Sequence, residues 1–422
     1  MANTDPILIT AAWVFPVARP PIRAGGVVLA AGQIVAVGSA VALAATYPHA
    51  QRHDYPQHIL TPGLVNAHTH LELSWLQGRL QPQAFWDWVP ALRGLYPPAA
   101  DLPGVVATAV RQGVQACWRH GVTCVGDITS MPQWVRPVLA EMNITGVSYG
   151  EVMAIGTGRW QAQTRRDAAL VGPPGMMRIG LSPHAPYTVD GLVLRELVAY
   201  AQAQNLPLAM HLAEMPQEAE FLRDLSGPLG RDWPLMQALG LLTAPVTAHA
   251  GGPIAWAAEY GLLATQQPVV LAHVNDADEA EVDLLARAPA RPVVAWCPRT
   301  RAFFGHDQRS QHPYGRLRRA GVQVCIATDS MASAPDLNLW AEVHHASLSY
   351  PEVSATAWLA SVTSIPARGM GLAGQVGQLA PGLRADVSIF PFARTESAES
   401  TLAAIIATAP PASAVWIAGQ QV

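Results

Sequence analysis

Imidazole and carboxylate groups recur in this chain at one kind of place, the last residues of a short apolar run. His68 and His70 lie in PGLVNAHTHLEL (residues 62–73), His211 and Glu214 in AMHLAE, His273 in VVLAHVN and Asp329 in CIATDS. Side chains two apart on a strand point to the same side, so His68 and His70 can hold one cation. An H-x-H pair alone reads equally as one core and one exposed histidine, but four strand ends carrying ligand chemistry describe a site. Glu214 falls three residues after His211, just past a strand end, where a carboxylate can reach over a ligated metal and serve as a proton shuttle. Asp329 either caps the following helix or faces the metal, and its place between Thr328 and Ser330 at a strand end favours the metal. His273 is a fourth imidazole ligand or a second group that orients the attacking water. His184, in SPHAPYT, touches substrate or packs in the core. The remaining histidines, His306 and His312 among them, are read as solvated or locally hydrogen-bonded.

The bulk properties narrow the chemistry. All 26 basic residues are arginine, since the 422-residue chain contains no lysine. Schiff-base catalysis, a Walker-type phosphate loop and a metal pair bridged by a modified lysine are thereby excluded. A net charge of −4 gives no basic footprint for nucleic acid. Prolines and charges interrupt every apolar stretch before it reaches membrane-spanning length, and the N-terminus has no signal-peptide pattern. Cys117, Cys124, Cys297 and Cys325 form no C-x-x-C pair and read as buried reduced thiols, which fits a cytoplasmic protein. The sequence leaves monomer and homodimer both open.

These residues must be held by strands. HILTPGLVNAHTH, GVTCVGDI, ITGVSYGEVM, MRIGLSPHAP, LPLAMHLAE, PVVLAHVN, PVVAWCPR and VQVCIATDS alternate with helix-period segments such as 104–119, 190–204, 276–288 and 336–348. Eight strands with helices between them predict an α/β fold, a TIM-type (β/α)8 barrel whose site lies at the C-terminal strand ends. Outside it, ILITAAWV, a hairpin turning at Ala31-Gly32, VSIF and AVWIAG pair into a small composite β-sandwich formed by both chain ends. The expected division is residues 1–56 plus 374–422 for the sandwich and 57–373 for the barrel.

The ordered series IVAVG, PGLVNAHTH, SPHAPYT, HLAE, LAHVN, CPRT, ATDS and GQLAPGLRADVSIF resembles the amidohydrolase superfamily, in its cytosine-deaminase-like branch that includes the triazine hydrolases. Position by position, the resemblance implies that His68, His70, His211 and Asp329 bind one divalent metal, Zn²⁺ or Fe²⁺. It implies that Glu214 and His273 are the catalytic pair, with Asp329 accepting a proton during collapse. HTHLELSWLQG, FWDWV, CPRTRAFFGH and TDSMASAPDLNLW look most like the aminodeoxyfutalosine deaminases of menaquinone biosynthesis. That likeness implies a small-molecule aminopurine nucleoside with a carboxylated aromatic tail, hydrolysed at a cyclic amidine C–N bond.

Arg299 and Arg301, just after the seventh strand, are the candidate carboxylate contacts. Glu72 is the candidate ribose or purine contact, and Ser330 stands with His184 among the substrate contacts. Adenosine or S-adenosylhomocysteine, guanine, cytosine-type bases and chlorotriazines are the rival substrates on the same fold. A separate class rests on GVSYG, whose Ser148 matches the G-x-S-x-G elbow of serine hydrolases.

Overall fold

A computed structural model describes residues 5–173, 175–230, 248–392 and 397–422. Two sheets organise them. The first contains β1 (Ile7–Val14), β2 (Ile22–Ala30), β3 (Gln33–Ser39) and β4 (Gln51–Pro62) from the N-terminal part of the chain. The second contains β5 (Leu64–Thr69), β6 (Val122–Thr129), β7 (Thr145–Val152), β8 (Met177–Pro183), β9 (Leu208–Leu212), β10 (Val269–His273), β11 (Val293–Trp296) and β12 (Gln323–Ile326). β13 (Val387–Pro391), β14 (Ala414–Ile417) and β15 (Gln420–Gln421) return to the first sheet, whose order is β15-β14-β13-β4-β1-β2-β3.

The two chain ends therefore share one sheet, joined where β13 pairs antiparallel with β4. Every second residue of β1 serves a different core. Ile7 and Ile9 pack on Leu60, Val387 and Trp416, while Leu8 meets Val28 and Leu43 on the opposite face. The hairpin between β2 and β3 turns at Ala31-Gly32, both in left-handed backbone.

The eight-stranded sheet runs β5 to β12 in sequential order, with parallel neighbours throughout. Strands buried on both faces need no polar alternation, and every residue of β5, β6, β9, β10 and β11 is buried. Small side chains fill the interior, among them Ala67, Cys124, Ala209, Ala295 and Cys325. Gly146 has φ +140° and a Cβ there would stand 1.8 Å from the carbonyl oxygen of Val125, so no larger residue fits between β6 and β7. The four cysteines are buried and unpaired.

The first barrel strand is shorter than HILTPGLVNAHTH. His58 to Pro62 belong to β4, pair with β13 in the other sheet, and only the residues from Leu64 onward enter the barrel. Apolarity cannot separate the two segments because both are buried. Closure between β5 and β12 is made by side chains as much as by backbone. Asn66 donates from Nδ2 to Thr328 Oγ1 at 2.7 Å and accepts the Thr328 N–H at 3.2 Å. The Asp329 N–H then donates to the carbonyl of His68 at 3.1 Å, and Thr69 Oγ1 donates to the carbonyl of Asp329 at 2.9 Å. The seam that closes the barrel thus fixes His68 and Asp329 against each other. Among the described residues no helix is long and apolar enough to cross a membrane.

Candidate active site

At the C-terminal ends of the barrel strands lies a cavity of about 560 Å³. On its floor four imidazoles converge. The ring centroid of His68 lies 5.1 Å from that of His70, 4.8 Å from His211 and 5.4 Å from His273. His70 Nε2 and His211 Nε2 approach to 3.3 Å, and Asp329 Oδ1 stands 3.7 Å from His68 Nε2 and 3.6 Å from His70 Nε2.

The polar chemistry of this floor is incomplete without a cation. Both nitrogens of His68 are buried with no hydrogen-bond partner. His211 Nδ1 lies 3.2 Å from the carbonyl oxygen of His184, which accepts its proton and leaves the Nε2 lone pair aimed at His70. Burial holds His68, His70 and His273 well below the ordinary imidazole range, with neighbouring imidazoles adding to it. Neutral rings with lone pairs turned toward one point, beside a carboxylate, are a donor set for a divalent metal.

Backbone strain places several of these groups. Asp329 has φ 59°, His273 φ 72°, Val274 φ 48° and Ala213 φ 51°, all left-handed. For a β-branched residue such as Val274 that conformation is a real outlier, and it is held by the Val274 N–H donating to Leu212 at 3.0 Å. The strand ends bend back over the cavity, which puts His273 Nε2 3.8 Å from Glu214 Oε1. Burial, then the charges of Asp329 and Glu218, push the Glu214 carboxyl well above the usual carboxylate range. Asn275 Nδ2 donates to the Glu214 carbonyl at 3.1 Å.

His184 and Ser330 also line the cavity. His184 pairs with Thr188 Oγ1 through Nδ1 at 2.6 Å, and its Nε2 lies 3.8 Å from Glu151 Oε1. Glu151, absent from the sequence reading, ends β7 with Oε1 buried and without a hydrogen bond, and burial pushes it up to about 8. A lone acid near the end of an otherwise apolar strand was its visible signal.

Several sequence expectations do not survive the geometry. Arg299 is clamped by Asp336 and Glu342, each at 2.7 Å, and does not line the cavity. Arg301 donates to the carbonyl and hydroxyl of Ser310, also away from the cavity. Glu72 borders the cavity, but its carboxylate already accepts from Thr129 Oγ1, Ser130 Oγ, and the N–H groups of Ser130 and Met131. Four bonds use the full capacity of a carboxylate, so Glu72 organises the end of β6 and has no lone pair left for a substrate hydroxyl. Ser148 lies in the middle of β7, 1% exposed, and its Oγ accepts from Arg136 Nε at 3.1 Å, so there is no exposed elbow. His306 and His312 are buried, not solvated, and His312 Nε2 donates to the carbonyl of His273 at 3.0 Å.

Comparison with known proteins places the chain in a family. The amidohydrolase family profile matches residues 59–422. The chain belongs to the amidohydrolase family. It is a metal-dependent hydrolytic deaminase by that membership and by its relatives. An aminodeoxyfutalosine deaminase of Deinococcus radiodurans is 33% identical over 348 residues, covering 78% of this chain and 77% of that protein. A 5-methylthioadenosine/S-adenosylhomocysteine deaminase of Saccharophagus degradans is 25% identical over 422 residues, covering 94% of this chain and 86% of its own length. The fold matches the crystal structure of Helicobacter pylori aminofutalosine deaminase with a TM-score of 0.84 at 20% identity, covering 99% of this chain and 100% of the other. An adenosine deaminase from Xanthomonas campestris with bound zinc matches at 0.80 and 22% identity, covering 100% and 93%.

Proposed function

We propose that this amidohydrolase deaminates aminodeoxyfutalosine to a futalosine-type product and ammonia, in menaquinone biosynthesis, with one Zn²⁺ or Fe²⁺ held by His68, His70, His211 and Asp329. The observation that carries the chemistry is the buried Glu214 carboxyl 3.8 Å from His273 beside the histidine–aspartate cluster. A divalent ion in that cluster brings the pKa of a water to about 7 and so supplies a nucleophile at neutral pH.

The remaining work falls to the chain. Glu214 takes one proton from the water and carries it to the ring nitrogen next to the amino-bearing carbon, which makes that carbon electrophilic as the water oxygen adds. His273 and Asp329 orient the water, take its second proton and pass it to the amino group, so that the C–N bond breaks and ammonia leaves. His184 and the free Glu151 oxygen face the same cavity and offer polar contacts to the nucleoside. Phe85, Trp88, Tyr187 and Phe304 wall it, with Phe85 and Phe304 edge to face at 5.5 Å, a surface suited to an aromatic tail.

The Deinococcus relative supports this substrate over the rivals, and the Saccharophagus relative supports 5-methylthioadenosine or S-adenosylhomocysteine as the second reading. Ammonia release by metal-loaded enzyme distinguishes them. kcat/KM for aminodeoxyfutalosine exceeds that for adenosine, 5-methylthioadenosine and S-adenosylhomocysteine by orders of magnitude if the proposal holds. Equal turnover of any of these three removes the substrate and keeps the deaminase.

A further inference from the structure

We propose that Arg93 is the anion anchor of the cavity and selects nucleosides whose tail ends in a carboxylate over neutral ones. The inference rests on the deaminase reading above and adds the residue that reads the far end of the substrate.

The helix Phe85–Gly94 presents one stripe to the cavity. Phe85, Trp88, Val89, Leu92 and Arg93 all line it, and Tyr96, just beyond the helix end, continues the row. Their spacing of three and four residues is that of a single helical face. Arg93 is the one charged member of that stripe, and it sits in the last turn, where the wall meets solvent.

The charge balance of the cavity singles it out again. The other charged residues that line it are acids, namely Glu72, Glu151, Glu214 and Asp329. With no lysine in the chain, and with Arg299 and Arg301 committed elsewhere, Arg93 is the permanent cation among the described lining residues. No described carboxylate pairs with its guanidinium, whereas Arg299 has two. A planar guanidinium with five donors accepts a carboxylate in two parallel hydrogen bonds. Trp88 and Phe85, one to two turns earlier on the same face, give an aromatic ring its seat, so an arene carrying a carboxylate meets both halves of the stripe. A phosphate monoester would bring close to two charges to a single arginine and suits the site less.

An arginine in a last turn also interacts favourably with the helix dipole. That role changes melting temperature and leaves substrate choice untouched. The two are separated by measuring kcat/KM for aminodeoxyfutalosine and for its neutral methyl ester in the parent enzyme, Arg93→Met and Arg93→Lys, at low and high salt. The parent prefers the acid, and Arg93→Met lowers the acid-to-ester ratio by about tenfold or more, mainly through KM, the scale of one charge-assisted contact at a partly exposed site. Arg93→Lys keeps part of the preference, and added salt weakens it in the parent because the charge is exposed. An equal ratio in parent and Arg93→Met, a parent indifferent to esterification, or a preference for adenosine monophosphate overturns the anchor while leaving the deaminase intact. No ammonia from any aminopurine nucleoside, in enzyme carrying its metal, removes the deaminase reading and the anchor with it.

Discussion

The carboxylate of Glu218 grips the backbone of the proposed proton carrier: its Oε1 accepts the N–H of Glu214 at 2.6 Å. The same oxygen takes the Met215 N–H at 3.3 Å, and Oε2 takes the N–H of Ala213 at 2.9 Å. Ala213 is in left-handed backbone, so Glu218 holds the turn that swings Glu214 over the cavity.

Glu218→Gln replaces one acceptor oxygen with a donor facing an N–H, and the turn must relax. Expected is a fall in kcat of about tenfold or more with metal content unchanged, since no ligand is touched. Parallel loss of metal would assign Glu218 to general folding, and unchanged kcat would show that the turn keeps its shape without it.

Removing a ligand has a different signature. His211→Ala and Asp329→Ala each release the metal and abolish ammonia production, because each leaves too few donors for a tightly held ion. Full metal occupancy in both variants, measured by elemental analysis after desalting, contradicts the assignment.

Glu214→Gln keeps the fold and the metal and lowers kcat by about 10² or more, since a proton carrier is lost and no ligand. His273→Asn likewise spares the metal and damages the rate. Activity of Glu214→Gln within a few-fold of the parent moves the proton-carrying role to His273.

His312 is expected to make the fold sensitive to acid. Its ring stacks on Trp296 at 4.3 Å, its Nε2 donates to the His273 carbonyl, and its Nδ1 is buried with no hydrogen-bond partner. Burial lowers it from 6.5 to about 3, so the folded protein leaves it neutral where the unfolded chain protonates it. Its contribution is complete above pH 6.5 and is lost as pH falls toward 3, a difference on the order of 5 kcal/mol at most. Urea midpoints should therefore decline between pH 6.5 and 4, and less steeply in His312→Phe. An identical slope in the variant assigns the acid lability to other groups.

The barrel and the floor of its site were legible because strand ends carry their chemistry in the residue types themselves: His68, His70, His211, His273 and Asp329 interrupt apolar runs. What the sequence could not order was partnership. Arg299 and Arg301 follow a barrel strand, where a substrate-binding arginine would stand, yet Glu342, 43 positions away from Arg299, is buried on the facing helix and takes the guanidinium. Removing one partner of so buried a pair costs about 3–5 kcal/mol, which commits Arg299 to structure. Arg93 was passed over for the opposite reason, since its helix reads as an ordinary amphipathic segment until the cavity shows which face it presents. Glu72 looked free because its four donors lie near residue 130, invisible at a spacing of two from His70.

Under the proposed function the chain hydrolyses an aminopurine nucleoside at the amino-bearing ring carbon. Incubation with aminodeoxyfutalosine in oxygen-18 water tests it in one mass spectrum taken alongside an ammonia assay. Expected are one ammonia released and one solvent oxygen incorporated into an intact nucleoside for each substrate consumed, with both abolished when the metal is removed. Free purine base among the products, or turnover that persists in chelator-stripped enzyme, contradicts it.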